Sequence, residues 1–189
     1  MRIRTLGTTK KLYLSSYLRN FLQYILNEFK QVKHLNDAEK LMSEHPELEF
    51  RFEPRMPDHQ KGLIIGNAVY LNPRQSNQEL AETVAEEISH YETTVGNVID
   101  LSDKDNRKQE KQARDLGAVM LVSSFDIIEC FEQGCRYIWE CADYIGVSEK
   151  TLKVAVQWYS RKWDGIWTNT GYCIYFHPNG TIGVFKSLV

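Results

Sequence analysis

Residues 62–92 constrain this chain more than any other stretch. Gly62-Leu63-Ile64-Ile65 and Ala68-Val69-Tyr70-Leu71 are two short apolar runs separated by Gly66-Asn67. That pattern predicts a two-residue β-hairpin, because Gly and Asn tolerate the positive φ that a type I′ turn requires. Asn72-Pro73 ends the sheet. Ser76 then stands three residues before Glu79, a capping box, and the apolar period changes from two to 3.6. A helix is expected from there to about Glu92. A chain that turns from hairpin to amphipathic helix within so few residues must pack helices on a small sheet, which is the α+β class.

The flanking segments extend this reading. Residues 12–33 carry Tyr17, Phe21, Tyr24, Ile25 and Phe29 at helical spacing, and a second helix is expected over 36–43, stopped by Pro46. Residues 48–52 alternate apolar and polar, as a half-buried strand does. Residues 55–61 are a turn-rich connector. Beyond a polar loop at 93–106, helices are expected over 107–121, 124–131, 136–145 and 148–163, the last capped by Ser148. A linker at 164–171 leads to a hairpin of 172–176 and 181–185. The expected fold is α+β: mainly helical, with a small three-stranded antiparallel sheet and a C-terminal β-hairpin. The expected division is an N-terminal helical arm (1–45), a central domain (46–163) and the hairpin (164–189).

Composition removes several classes. No run approaches the roughly 18 apolar residues of a membrane span. Arg19, Asn20 and Gln23 interrupt the N-terminal apolar stretch, which lacks a small-residue cleavage site, so it does not read as a signal peptide. A cytoplasmic protein is expected. The net charge of −2 gives no general attraction to nucleic acid. Residues 76–115 hold ten acids against five bases, so a cation site belongs in the middle of the chain. Cys130, Cys135, Cys141 and Cys173 form no CxxC pair and are read as buried free thiols.

The middle helix has an informative face. Leu80, Val84, Ile88 and Tyr91 form an apolar stripe, and Glu87 projects onto its edge, where burial would raise its pKa. Glu86 and His90 lie four residues apart on the adjacent face. The order Glu86-Glu87-Ile88-Ser89-His90 reproduces the H-E-x-x-H zinc helix with Glu in place of the first His. In that motif the residues at i and i+4 hold one metal, and the Glu at i+1 is the general base. The next helix offers a third ligand in Glu110, with the small residues Ala113 and Gly117 permitting close approach. Arg114 is placed to orient or compete for the Glu110 carboxylate. EExxH alone also occurs on ordinary solvated helices.

The ordered series is more specific than the pentapeptide. "GLIIGNAVYLN", "ELAETVAEEISHYETT", "GNVID", "NRKQEKQARDLGAVMLV" and "GCRYIWECADYIGVSEKTLKVAVQWYSRKW" together resemble the ImmA/IrrE family of metallopeptidases. The resemblance covers about half the chain. It implies Glu87 as general base, His90 and Glu110 as metal ligands, and Glu86 where many members carry the first His. It also implies one divalent ion, zinc or, with two carboxylates in the set, manganese. The implied substrate is a regulatory protein such as a phage or mobile-element repressor. A catalytically silent protein-binding module of the same fold is the alternative.

Residues 142–152 resemble a helix-turn-helix, but Asp143 and Glu149 accompany Lys150 and Lys153, a poor set for phosphate contacts. Trp158, Tyr159, Trp163 and Trp167 are read as core and hairpin packing, His177 as a turn residue, and His34, His45 and His59 as solvated. Tyr91 is at most a weak candidate for an additional donor at the site.

Overall fold

The computed structural model describes residues 37–93, 104–177 and 181–186. The helix expected over 12–33, most of the polar loop and His34 lie outside them. The described elements are α1 (Asp37–Glu44), β1 (Glu49–Phe52), β2 (Gly62–Ile65), β3 (Ala68–Leu71), α2 (Asn77–Thr93), α3 (Lys104–Leu121), α4 (Ser124–Glu132), α5 (Ile138–Ile145), α6 (Glu149–Lys162), β4 (Gly165–Trp167), β5 (Tyr172–Phe176) and β6 (Ile182–Lys186). The class is α+β, mainly helical.

The first sheet departs from expectation. Its order is β1-β3-β2, with β2 antiparallel to β3 but β1 parallel to it, so the sheet is mixed rather than antiparallel. The hairpin occupies one edge of β3, leaving the other edge for β1. The connector between β1 and β2 must therefore cross the end of the sheet. Asn72, buried at the end of β3, latches that crossing. Its side-chain amide donates to the carbonyls of Pro57 and Gln60 at 3.1 and 3.0 Å, and its backbone N–H donates to the Lys61 carbonyl at 2.9 Å. At the hairpin turn Gly66 has φ +64, whereas Asn67 has no positive φ. Positive φ at the first of two turn residues alone is the type II′ pattern, not the expected I′.

The capping box at the start of α2 forms. The Glu79 N–H donates to Ser76 Oγ at 3.2 Å, and the Ser76 N–H donates to Glu79 Oε2 at 3.0 Å. Lys61 adds an ion pair to the same carboxylate at 2.9 Å, and together these hold Glu79 down to about 2. Ser148 caps α6 as expected, its Oγ accepting from the Thr151 N–H at 3.1 Å.

Two apolar cores share α3. One gathers Leu41, Val69, Leu71, Val84 and Ile88 from α1, the sheet and α2, with Leu48 just before β1. The other gathers residues of α4, α5, α6 and β5 around Val122, Ala155 and Ile174. Leu121 packs against both. The second sheet corrects the expected C-terminal hairpin. The stretch read as a linker supplies β4, which pairs antiparallel with β5 through Ile166 and Ile174, giving the order β4-β5-β6. Three residues are too few to show strand periodicity; the pairing arises because Ile166 packs against the second core. Tyr159 and Phe176 stack there at 5.8 Å, while Trp167 is exposed.

Candidate metal centre

Helices α2 and α3 meet backbone to backbone at Gly117, near the facing acidic residues. A Cβ there would stand 3.1 Å from the Ala85 carbonyl oxygen and 3.2 Å from the Glu86 backbone nitrogen. With Ala85 and Ala113 both fully buried, the two backbones meet with no side chain between them. Ser89, also fully buried, adds no unsatisfied hydroxyl, since its Oγ donates to the Ala85 carbonyl at 2.8 Å.

This approach brings Glu86, His90 and Glu110 together, with one donor atom from each within 4.8 Å of the other two. His90 Nε2 lies 3.4 Å from Glu110 Oε2. Arg114 takes the other oxygen of Glu110, donating to Oε1 at 2.9 Å, and lies 4.0 Å from Glu86 Oε1. The guanidinium thus both orients Glu110 and lies within reach of Glu86, leaving Oε2 turned to the imidazole. One imidazole nitrogen and two carboxylate oxygens so disposed are a chemically suitable ligand set for a divalent cation.

Glu87 sits beside this group on the buried edge of α2. Its carboxyl is pushed up to about 7, first by burial and then by the charges of Glu86 and Glu110; a hydrogen bond from the Ile64 backbone opposes the rise. The floor of its niche is Gly62 on β2. A Cβ there would stand 2.6 Å from Glu87 Oε1 and 2.6 Å from Thr83 Cγ2, so only glycine admits the carboxylate. Sequence reasoning used Gly62 only as the start of a strand. Nothing in the pattern ties it to a residue 25 positions away.

Tyr91 is a correction. The helical period puts it on the apolar stripe with Val84 and Ile88, which are fully buried, but it is 43% exposed. Among the described residues, the apolar core packed against α2 ends at Ile88, short of Tyr91. Beside the candidate metal-ligand group, Glu82, Glu86, Gly117, Lys150 and Thr151 line a small cleft. At its end the Ser148 N–H, at the N-terminus of α6, donates to Glu82 Oε1 at 2.6 Å. A carboxylate at that helix terminus is favourable.

A helix bearing Glu86 and His90 four residues apart, faced by Glu110 on a second helix, presents a candidate group for one divalent metal. The family comparison agrees: the model of the IrrE N-terminal-like domain, peptidase family M78, matches residues 38–157, and the chain belongs to that family. Membership gives it a metallopeptidase-type character and implies a divalent metal. No curated protein matches the chain. Among the described residues, no helix is long and apolar enough to cross a membrane.

Proposed function

We propose that the chain is a cytoplasmic, metal-dependent endopeptidase that cuts a regulatory protein of the repressor type, as in phages and mobile elements. The observation that supports this most is the convergence of Glu86, His90 and Glu110 within 4.8 Å, with the carboxyl of Glu87 held beside them. These three residues would hold one divalent ion, zinc first and manganese second given the two carboxylates. When bound, such an ion supplies Lewis-acid polarisation of a water and of a peptide carbonyl. Glu87 accepts the proton of the attacking water and returns it to the leaving amine. Gly62 and the Ile64 backbone hold that carboxylate in place, while Arg114 fixes Glu110. β2 pairs only with β3 among the described residues, so its other edge, next to Glu87, offers backbone groups to an extended peptide.

The silent-module reading has one observation in its favour. Arg114 already pairs with one of the carboxylates and competes with a cation for it. DNA contact through residues 142–153 has less support, because the N-terminus of α6 is engaged by Glu82 and Lys153 is paired with Glu149 at 2.9 Å.

Metal content of purified parent and His90→Ala protein tests the centre; equal content in both removes it. Parent and Glu87→Gln protein, each loaded with zinc or manganese, are then incubated with candidate repressors. Cleavage by the parent alone supports the peptidase, and no cleavage with either metal favours the silent module.

A further inference from the structure

Three of the four cysteines, read from sequence as buried free thiols, come together at the second core. Cys130 lies in the last turn of α4 and is buried. Gly134, with φ +78, reverses the chain directly after the helix, and the Cys135 N–H donates to the Cys130 carbonyl at 2.9 Å. This folds Cys135 back beside Cys130. The carboxylate of Glu140 then accepts from the backbone N–H groups of Arg136 and Tyr137 at 2.6 and 3.1 Å and fixes the start of α5. One residue later, Cys141 faces α4, and the Cys130 thiol donates to its carbonyl at 3.8 Å. The three Sγ atoms lie within 4.8 Å of one another, and none is in a disulfide.

The geometry points to a second metal site, in which Cys130, Cys135 and Cys141 bind one thiophilic divalent cation of the zinc class. With metal–sulfur bonds of about 2.3 Å, thiolates at tetrahedral angles stand about 3.8 Å apart. The cluster therefore closes on an ion by a contraction of at most about 1 Å, within the reach of side-chain rotation. The donor set is all sulfur, which selects soft ions and separates this site from the oxygen-rich centre on α2 and α3. Binding releases the thiol protons to solvent. All three cysteines line a groove shared with Arg136, which carries a compensating positive charge. That groove gives the ion an entry path and leaves its fourth position open to water or a small ligand. The sequence spacing, four residues and then five, matches no common zinc pattern; the glycine turn makes it work.

Cobalt(II) titration of the full chain, kept reduced with a phosphine, tests the proposal. A His90→Ala/Glu110→Gln background removes the first centre from the count, so the outcome is independent of the proposed peptidase activity. The expected result is saturation at one cobalt per chain with thiolate-to-metal charge-transfer absorption, bleached when zinc is added. Cys135→Ser, at a partly exposed turn, keeps the native circular dichroism and weakens binding by about tenfold or more. Cys173→Ser leaves it unchanged. Absence of the absorption in reduced, folded protein overturns the proposal. So does a Cys135→Ser titration that matches the background protein, or equal loss in Cys173→Ser.

Discussion

Replacing Glu87 with Gln should make the protein more stable, and only above a defined pH. In the fold the Glu87 carboxyl is raised from its ordinary 4.5 to about 7, mainly by burial. Each pKa unit corresponds to about 1.4 kcal/mol, so ionising Glu87 in the folded protein costs about 3 kcal/mol. The sign follows from proton binding. Between about pH 4.5 and 7 the folded chain holds a proton that the unfolded chain has lost, so stability falls as pH rises through that window. Gln carries no charge at any pH and its side-chain oxygen can still accept from Ile64. Parent and Glu87→Gln should therefore have the same stability pH slope below about 4.5, and the variant should gain about 3 kcal/mol on the parent by pH 8. Urea unfolding at a series of pH values, with a chelator present, measures this directly. A difference that stays constant with pH would refute the reasoning. Adding a divalent ion should shrink the gain, since a nearby positive charge favours the carboxylate.

Gly117→Val places methyl groups against the Ala85 carbonyl; it should cost about 1–3 kcal/mol in urea unfolding and reduce metal binding, measured by calorimetry, because the proposed ligands on α2 and α3 move apart. Arg114→Met removes a positive charge beside Glu110 and Glu86; cation affinity at low ionic strength should rise about tenfold, and the gain should diminish with salt. Gly62→Ala should lower stability by about 1–3 kcal/mol, with a smaller loss in a Thr83→Ser background, where one of the two clashing atoms is gone; additivity in that double-mutant cycle would contradict the close fit.

The local signals were the legible part of this chain. The hairpin at 62–71, the Ser76–Glu79 box, the Ser148 cap and the pairing of Glu86 with His90 all depend on residues within a few positions of one another, and each was readable as such. Glu110 was reachable because helix periodicity placed it on a face with Ala113 and Gly117. What escaped was set by contacts distant in sequence. The parallel pairing of β1 depends on where the hairpin leaves a vacant edge. β4 is a strand only because β5 lies beside it. Tyr91 obeyed the helical period but lay past the end of the core that the period serves. The cysteines were judged by spacing, whereas Gly134 and the Glu140 carboxylate decide where their sulfurs go.

Asn72 belongs neither to the proposed ligand set nor to the proposed general base, yet it bears on Glu87 at second hand. By tying the crossing connector to the end of β3, it fixes the path into Gly62, and Gly62 is the wall against which Glu87 rests. A lesion at this amide would alter no charge and remove no ligand. On the proposed peptidase reading, an activity assay would nevertheless register it as lost turnover, while metal uptake stayed intact. Intact loading with failed turnover would thus be the signature of a broken hinge-pin in the sheet, at a position that a survey of ligands alone would pass over.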